Sequence, residues 1–276
     1  MTQVEQDLPA DDGTATRARG KRPPQGEPVI DRAFALLDCF DLDHRFLTLG
    51  ELSRRSGIPA SSALRLAGRL MAWGALERDD AGRFSIGVRL WEVASLAPRG
   101  HGLRDVALPY LHDLAEATRE HVLLAVRDER QGLLVERISG HRATEVLYRV
   151  GGRLPLHSTG VGLVLLAFAE PDFTEPYLDL PLRHDPEQTL VDKARLRRTL
   201  AEVRRERIAI FRRAVPSPVL SVAAPIWDAD DTVAAALSVV VPDQTFDARR
   251  LAPAVQTAAR AISRALGAQR AVGRTT

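Results

Sequence analysis

The sequence predicts a two-domain α+β chain, and three observations carry that expectation. Residues 28–90 hold three short helical patterns and then two strand-like runs joined by a glycine-containing turn. Residues 91–119 continue as amphipathic helical linkers, and residues 120–268 alternate apolar, β-rich runs with helical stretches. With 276 residues, the chain is long enough for each unit to bury a core of its own.

Residues 1–27 are rich in Gly, Pro, Thr and charge without an apolar period, so a disordered arm is expected there. Its Arg17, Arg19, Lys21 and Arg22 follow Glu5, Asp7, Asp11 and Asp12, which reads as a solvated tail. From Pro28 to about Phe40, Val29/Ile30, Ala33/Phe34, Leu36/Leu37 and Phe40 recur at helical spacing. Thr48 with Glu51 three residues later forms a capping box that opens a short second helix, which Gly57 stops. Ile58-Pro59 turns the chain into a third helix, about Ala60 to Trp73. Ala63, Leu64, Ala67, Leu70 and Met71 form its expected apolar stripe, and Gly74 ends it. Ala75 to Arg78 and Arg83 to Ile86, around Asp79-Asp80-Ala81-Gly82, predict a hairpin.

A short helix is expected from Leu90 to Leu96, a bend at Pro98-Arg99-Gly100, and a longer helix from Leu103 to Thr118. Beyond it the runs His121 to Arg127, Gly132 to Ile138 and Glu145 to Val150 read as strands, the last broken by Gly151-Gly152 and Pro155. Helices are expected from Thr159 to Ala169, Asp192 to Arg207 and Asp247 to Leu266, with strands at Leu220 to Trp227 and Thr232 to Val240. Residues 269–276 are expected to be a flexible tail.

Composition is that of a soluble globular protein: 45% hydrophobic, 27% charged, mean hydropathy −0.13. Cys39 is the only cysteine, which excludes an intrachain disulfide framework; its apolar setting predicts a buried small side chain. There is neither the apolar run of a signal peptide nor one of about 18 residues that could span a membrane, so a cytoplasmic location is expected. The formal charge of +2 does not by itself mark a nucleic-acid binder.

Local charge does. Three helices, the last two joined by a short turn, and a following hairpin describe a winged helix-turn-helix, which presents one helix to the DNA major groove. Between Gly50 and Trp73, Arg54, Arg55, Arg65 and Arg69 are opposed only by Glu51, an arrangement suited to phosphate contact. Ser61 and Ser62 lie in the first turn of the third helix, where hydroxyls reach phosphates or base edges. Arg65 is placed for a bidentate guanine contact. In the wing Arg83 follows Gly82 toward the DNA backbone or minor groove, although Asp79 and Asp80 would repel phosphate. A protein-docking adaptor is the alternative reading of the same trihelical pattern.

The order of these features resembles the IclR family of bacterial transcriptional regulators. LTLGELSRRSGIPASSALRLAGRLMAWGALERDDAGRFSIGVRLWEVA is similar to its DNA-binding domain and the start of its linker. GGRLPLHSTGVGLVLLAF and SVAAPIWDADDTVAAALSVVVP are similar to its second domain. The resemblance covers about Pro28 to Gly267. It implies a GAF-like effector-binding and oligomerisation domain, dimers or tetramers, double-stranded operator DNA as partner, no membrane, and control by a small organic acid or aromatic compound. It also implies an effector pocket at Gly160 and Val161, faced by Phe211, Ser221 and Ser238. Repression is its commonest consequence; activation, or a second domain that only dimerises, is the alternative. The departures are Ala60 in place of a frequent basic residue, no lysine in Gly162 to Ala167, RIAIFRRA across Arg207 to Ala214, and Ser221 in place of a frequent cysteine.

The residues permit an anion site in that domain. Thr159-Gly160-Val161-Gly162 would present N–H groups at a helix start, and Ser158, Ser221 and Ser238 would add hydroxyls if they converge. Tyr148 and Phe211 would favour an apolar or aromatic ligand body. Ser158 and Thr159 read equally well as a helix cap. Neither an enzyme, a metal site nor a cofactor is expected. Ser158 and His157 are adjacent, no G-x-S-x-G elbow occurs, and His44, His101, His112, His121, His141, His157 and His184 lack metal-ligand spacing.

Overall fold

The computed structural model describes residues 28–41, 43–140, 148–182, 192–213, 218–243 and 248–269. The expectations for the N-terminal arm, for the Glu145 end of a strand, for Asp247 as a cap and for nearly all of the tail lie outside these residues. The chain divides into two compact units between Ala94 and Ser95, inside the segment expected to link them.

The first unit comprises α1 (Val29–Leu37), α2 (Leu49–Ser56), α3 (Ala60–Trp73), β1 (Leu76–Arg78), β2 (Phe84–Ile86) and α4 (Val88–Ala94). Helix α2 starts on the capping box: Glu51 N–H donates to Thr48 Oγ1 at 3.3 Å and Thr48 N–H donates to Glu51 Oε2 at 2.8 Å. It ends at Gly57 with φ 71°, and α3 ends at Gly74 with φ 89°, left-handed conformations that glycine adopts without steric cost. An isolated β-bridge joins the β1–β2 hairpin to the chain before α2, because Leu47 and Phe84 exchange backbone hydrogen bonds of 2.9 and 2.7 Å. Leu36, Leu47, Leu52, Ala63, Leu66, Leu76 and Phe84 form the core around Cys39, whose thiol pKa is raised by burial.

Two expectations for this core fail. Leu64 and Met71 are exposed, and Leu66 takes the buried place: Ala63, Leu66, Ala67 and Leu70 follow the i, i+3, i+4, i+7 rule, whereas Leu64 and Met71 lie a helical step off that stripe. In α1 only Leu36 is buried. Val29, Ile30 and Phe34 point outward, and the helix stops at Leu37 rather than Phe40.

The second unit begins with α5 (Pro98–Thr118), one helix rather than a bend followed by a helix, because Pro98 sits at its first turn, where a missing N–H costs nothing. Six strands follow: β3 (His121–Asp128), β4 (Gln131–Ile138), β5 (Arg153–Pro155), β6 (Ala209–Arg213), β7 (Val219–Trp227) and β8 (Val233–Pro242). They form one sheet in the order β5-β4-β3-β8-β7-β6, antiparallel at every pairing, which makes this unit α+β. The remaining helices are α6 (Gly160–Ala167), α7 (Pro171–Leu178), α8 (Lys193–Glu206) and α9 (Ala248–Ala265).

Helices cover both faces of the sheet. On one face Ala107 and Leu111 of α5, with Val255 and Ile262 of α9, pack with Val122, Leu124, Val222 and Leu237. On the other, α6 and α8 pack with Leu123, Ala125, Ala223 and Ala236. Because both faces are covered, β3, β7 and β8 are apolar along most of their length rather than alternating. Helix α6 is buried at all eight positions, as a helix apolar on every side must be.

Three elements differ from expectation. The strand before Gly151-Gly152 is replaced by β5 just after it, with no strand at 148–150. Helix α7 has no counterpart in the sequence reading, and strand β6 enters it only through the resemblance, as the facing strand that carries Phe211. Pro176 obscures the first, and the charged pair Arg212-Arg213 obscures the second, which is an edge strand.

Candidate nucleic-acid interface and effector pocket

On α3, Ser61, Arg65 and Arg69 are exposed at i, i+4, i+8, on the side away from the buried Ala63, Leu66 and Ala67; Ser62 is half-buried. Arg65 and Arg69 take part in no ion pair among the described residues. Arg54 is exposed on α2, whereas Arg55 Nη2 is bound to Asp41 Oδ2 at 2.6 Å. Asp41 also bonds the His44 ring at 2.7 Å, the main reason its carboxyl pKa lies below the usual value.

Arg83 is held in place. Its Nη2 and Nε lie 2.8 and 2.9 Å from Asp79 Oδ2, and its guanidinium stacks over the exposed Phe46 ring at 5.1 Å. The Asp79 pKa is lowered chiefly by the Arg83 backbone N–H, which donates to Oδ1 at 2.8 Å. Asp79 therefore clamps the Arg83 side chain as well as its backbone N–H. Sequence reasoning missed Arg45 and Phe46, both exposed beside this wing; the bridge from Leu47 to Phe84 that brings them there has no local sequence signal.

In the second unit a cleft of about 350 Å³, including its mouth, is lined by Tyr148, Thr159, Gly160, Val161, Phe211, Ser221 and Ser238. Its interior is tight, with room for little more than one water. Ser158 is not in the lining. Thr159 caps α6: its Oγ1 accepts from Gly162 N–H at 3.1 Å and donates to the Pro155 carbonyl at 2.8 Å. A Cβ on Gly160 would stand 2.3 Å from Ser221 Oγ, so glycine is required for α6 to approach β7 this closely. Phe211 pairs with Ser221 across β6 and β7, and Ala223 pairs with Ser238 across β7 and β8. Ser238 is 0% exposed, and its Oγ has no hydrogen-bond partner among the described residues. The remaining lining is apolar: Leu123, Leu154, Val219 and Val240.

His157 is buried with Nδ1 2.9 Å from the Tyr177 hydroxyl, whose pKa is raised by burial. Among the described residues no three His, Cys, Asp or Glu side chains are grouped to hold a metal ion, and no helix is long and apolar enough to cross a membrane.

Residues 29–80 match the IclR helix-turn-helix domain, and residues 97–264 match the bacterial transcriptional regulator IclR C-terminal domain. The chain belongs to the IclR family. Its relatives include the HTH-type transcriptional regulator XynR of Escherichia coli strain K12, 28% identical over 86% of this chain and 96% of that protein. BhcR of Paracoccus denitrificans is 30% identical over 86% of this chain and 87% of that protein. Among solved structures, an IclR homolog from Microbacterium hydrocarbonoxydans complexed with 4-hydroxybenzoate is 34% identical, with a TM-score of 0.82 over 87% of this chain and 99% of that one. This IclR-family chain is thus a transcriptional regulator with a helix-turn-helix domain and a C-terminal effector domain, not an enzyme.

Proposed function

We propose that this regulator is a repressor whose operator affinity falls when a small aromatic monocarboxylate enters the cleft beside α6. The observation that carries this reading is the chemistry of the cleft. The first N–H groups of a helix lack intrahelical acceptors, so Gly160 and Val161 offer donors to an anion. The adjoining Ser221 hydroxyl adds another donor, and the rest of the wall is mainly apolar or aromatic, with the hydroxyls of Thr159 and Ser238 and no charged side chain. One carboxylate is matched there; a second would be buried without a partner. The 4-hydroxybenzoate in the Microbacterium homolog supports the same class.

Ser61, Ser62 and Arg65 are assigned to the major groove, Arg54, Arg55 and Arg69 to phosphates, and Arg83 to the wing contact. Residues 28–90 are assigned to DNA binding, 91–119 to the linker and 120–268 to sensing and self-association. A ligand that prefers one conformation of the cleft shifts the balance between DNA-binding and released states. Entry of a ring requires the tight interior to open, and Phe211, half-buried on the edge strand β6, is the side chain free to yield.

The test is capture of genomic fragments on the purified protein at physiological salt, followed by challenge with benzoate and 4-hydroxybenzoate. A palindromic motif should be retained and then released by acid. Phe211→Ala should retain the same fragments but need about tenfold more acid to release them, having lost the ring's share of the apolar wall. No enrichment over bulk DNA, with or without acid, would overturn the reading.

The wing offers a separate check. Asp79→Asn removes the carboxylate that clamps Arg83 and faces the phosphates, so DNA affinity should rise and its salt dependence steepen by about one phosphate contact. Titrations at several salt concentrations read both; an unchanged slope would remove Arg83 from the interface.

A further inference from the structure

We infer that Tyr177 is a positioning residue of the effector site: it holds the turn before α6 in the shape that aims the Gly160 and Val161 N–H groups at the ligand carboxylate. This rests on the reading of that helix start as the anion site. Tyr177 belongs to α7, lies outside the cleft lining and is 5% exposed. Its hydroxyl stands 2.9 Å from Nδ1 of His157, two residues before the Thr159 cap of α6. Burial raises its pKa, and the backbone N–H groups of His157 and Leu156, which point at the same oxygen, lower it in part. An oxygen facing two N–H groups has its own proton to give, so the hydroxyl donates to Nδ1 and His157 is neutral with its proton on Nε2. A single hydroxyl thus ties both the backbone and the imidazole of the segment between β5 and α6.

The rest of α7 braces α6 from its other end. Thr174 Oγ1 lies 3.4 Å from the Leu166 and Ala169 carbonyl oxygens and 3.1 Å from that of Glu170, where α6 stops. The Tyr177 ring is stacked on Phe173 with centroids 5.9 Å apart, and the Arg127 guanidinium lies over Phe173 at 4.3 Å. Tyr177 is therefore fixed by its own helix and passes that rigidity to the turn. The turn needs such a peg. It folds back so closely that a Cβ on Gly162 would stand 2.5 Å from the Pro155 carbonyl oxygen. Helix α6 has no polar side chain with which to anchor itself, since GVGLVLLA is apolar throughout. N–H donors hold an anion well only when the surrounding structure keeps them within about 0.5 Å of the binding geometry.

The experiment is calorimetric titration of the full-length protein with benzoate and with its neutral isostere benzamide, on the parent, Tyr177→Phe, His157→Leu and His157→Asn. The parent should prefer benzoate. Tyr177→Phe keeps the stacked ring but loses the hydroxyl, so it should weaken benzoate about tenfold and change benzamide by less than about twofold. His157→Leu should do the same, whereas His157→Asn, whose Oδ1 replaces Nδ1 as the acceptor, should keep the parent's preference. The two His157 variants carry the test if Tyr177→Phe does not fold. Parallel losses for both ligands would make Tyr177 a packing residue, and unchanged benzoate binding would make it dispensable. Either result overturns its positioning role and leaves the effector site standing. A folded parent that binds neither ligand, or binds both alike, would overturn the anion site, and this inference with it.

Discussion

Trp91→Asp is expected to leave the protein folded but to weaken binding to a two-half-site operator by about 10²–10⁴-fold, the gain that linking two binding modules supplies. Helix α4 buries none of its residues, although its sequence is mostly apolar. Val88 is 63% exposed, Trp91 71% and Val93 47%. Such a surface suits a covering partner, and on the proposed reading of a palindromic operator that partner is a second copy of the chain. The helix also carries charges of both signs, Arg89 and Glu92, so a two-fold pairing can set each against the other's counterpart. Since Trp91 contributes little buried surface to its own chain, aspartate there strikes association rather than folding. Sedimentation should show weaker self-association than in the parent, with the share of residues 120–268 remaining, and a single half-site should be bound as before. A variant that stays dimeric and keeps full operator affinity would move the interface elsewhere.

Where local chemistry decides a structural feature, it was legible. The Thr48–Glu51 capping box, the stops at Gly57 and Gly74, and the hairpin around Gly82 are each written within a few residues, and the structure forms all of them. Strands β7 and β8 were legible for the opposite reason, since unbroken apolar runs mark a sheet covered on both faces. Side-chain direction was less legible. Leu64 and Leu66 are equally apolar, and only the packing of α3 against its neighbours selects one. Apolar periodicity in α1 likewise suggested an inward face for Val29, Ile30 and Phe34, which the structure leaves exposed, because an exposed apolar face looks the same in sequence as a core.

The cleft shows a further limit. Gly160, Ser221 and Ser238 come together through the packing of α6 on the sheet and the register of β7 with β8. No spacing in the sequence encodes that meeting, and it was the family resemblance that pointed to it. That Ser158 stands aside could not be read from either source. The wing adds the electrostatic version of the same limit. Asp79 and Arg83 are visible as opposite charges four residues apart, but the stacking of Arg83 on Phe46 depends on a bridge from before α2.

Arg65→Ala is expected to abolish most of the protein's sequence preference while leaving its stability near that of the parent. Arg65 is exposed on α3 and makes no ion pair among the described residues, so truncation removes little that holds the fold. A bidentate arginine–guanine contact contributes about 1–3 kcal/mol of discrimination, so the change should cost roughly 5- to 150-fold per half-site on the preferred sequence. On unrelated DNA the loss should be confined to one phosphate-scale charge. Arg69→Ala provides the contrast: lying a turn further along the same face, it should weaken all sequences alike. Arg65→Lys separates charge from geometry, because lysine restores the charge but not the planar fork. If it regains affinity for bulk DNA without regaining preference, Arg65 reads a base. If Arg65→Ala leaves preference intact, α3 is set in the groove by other residues, and Ser61 becomes the first candidate because it is exposed on the same face one turn earlier.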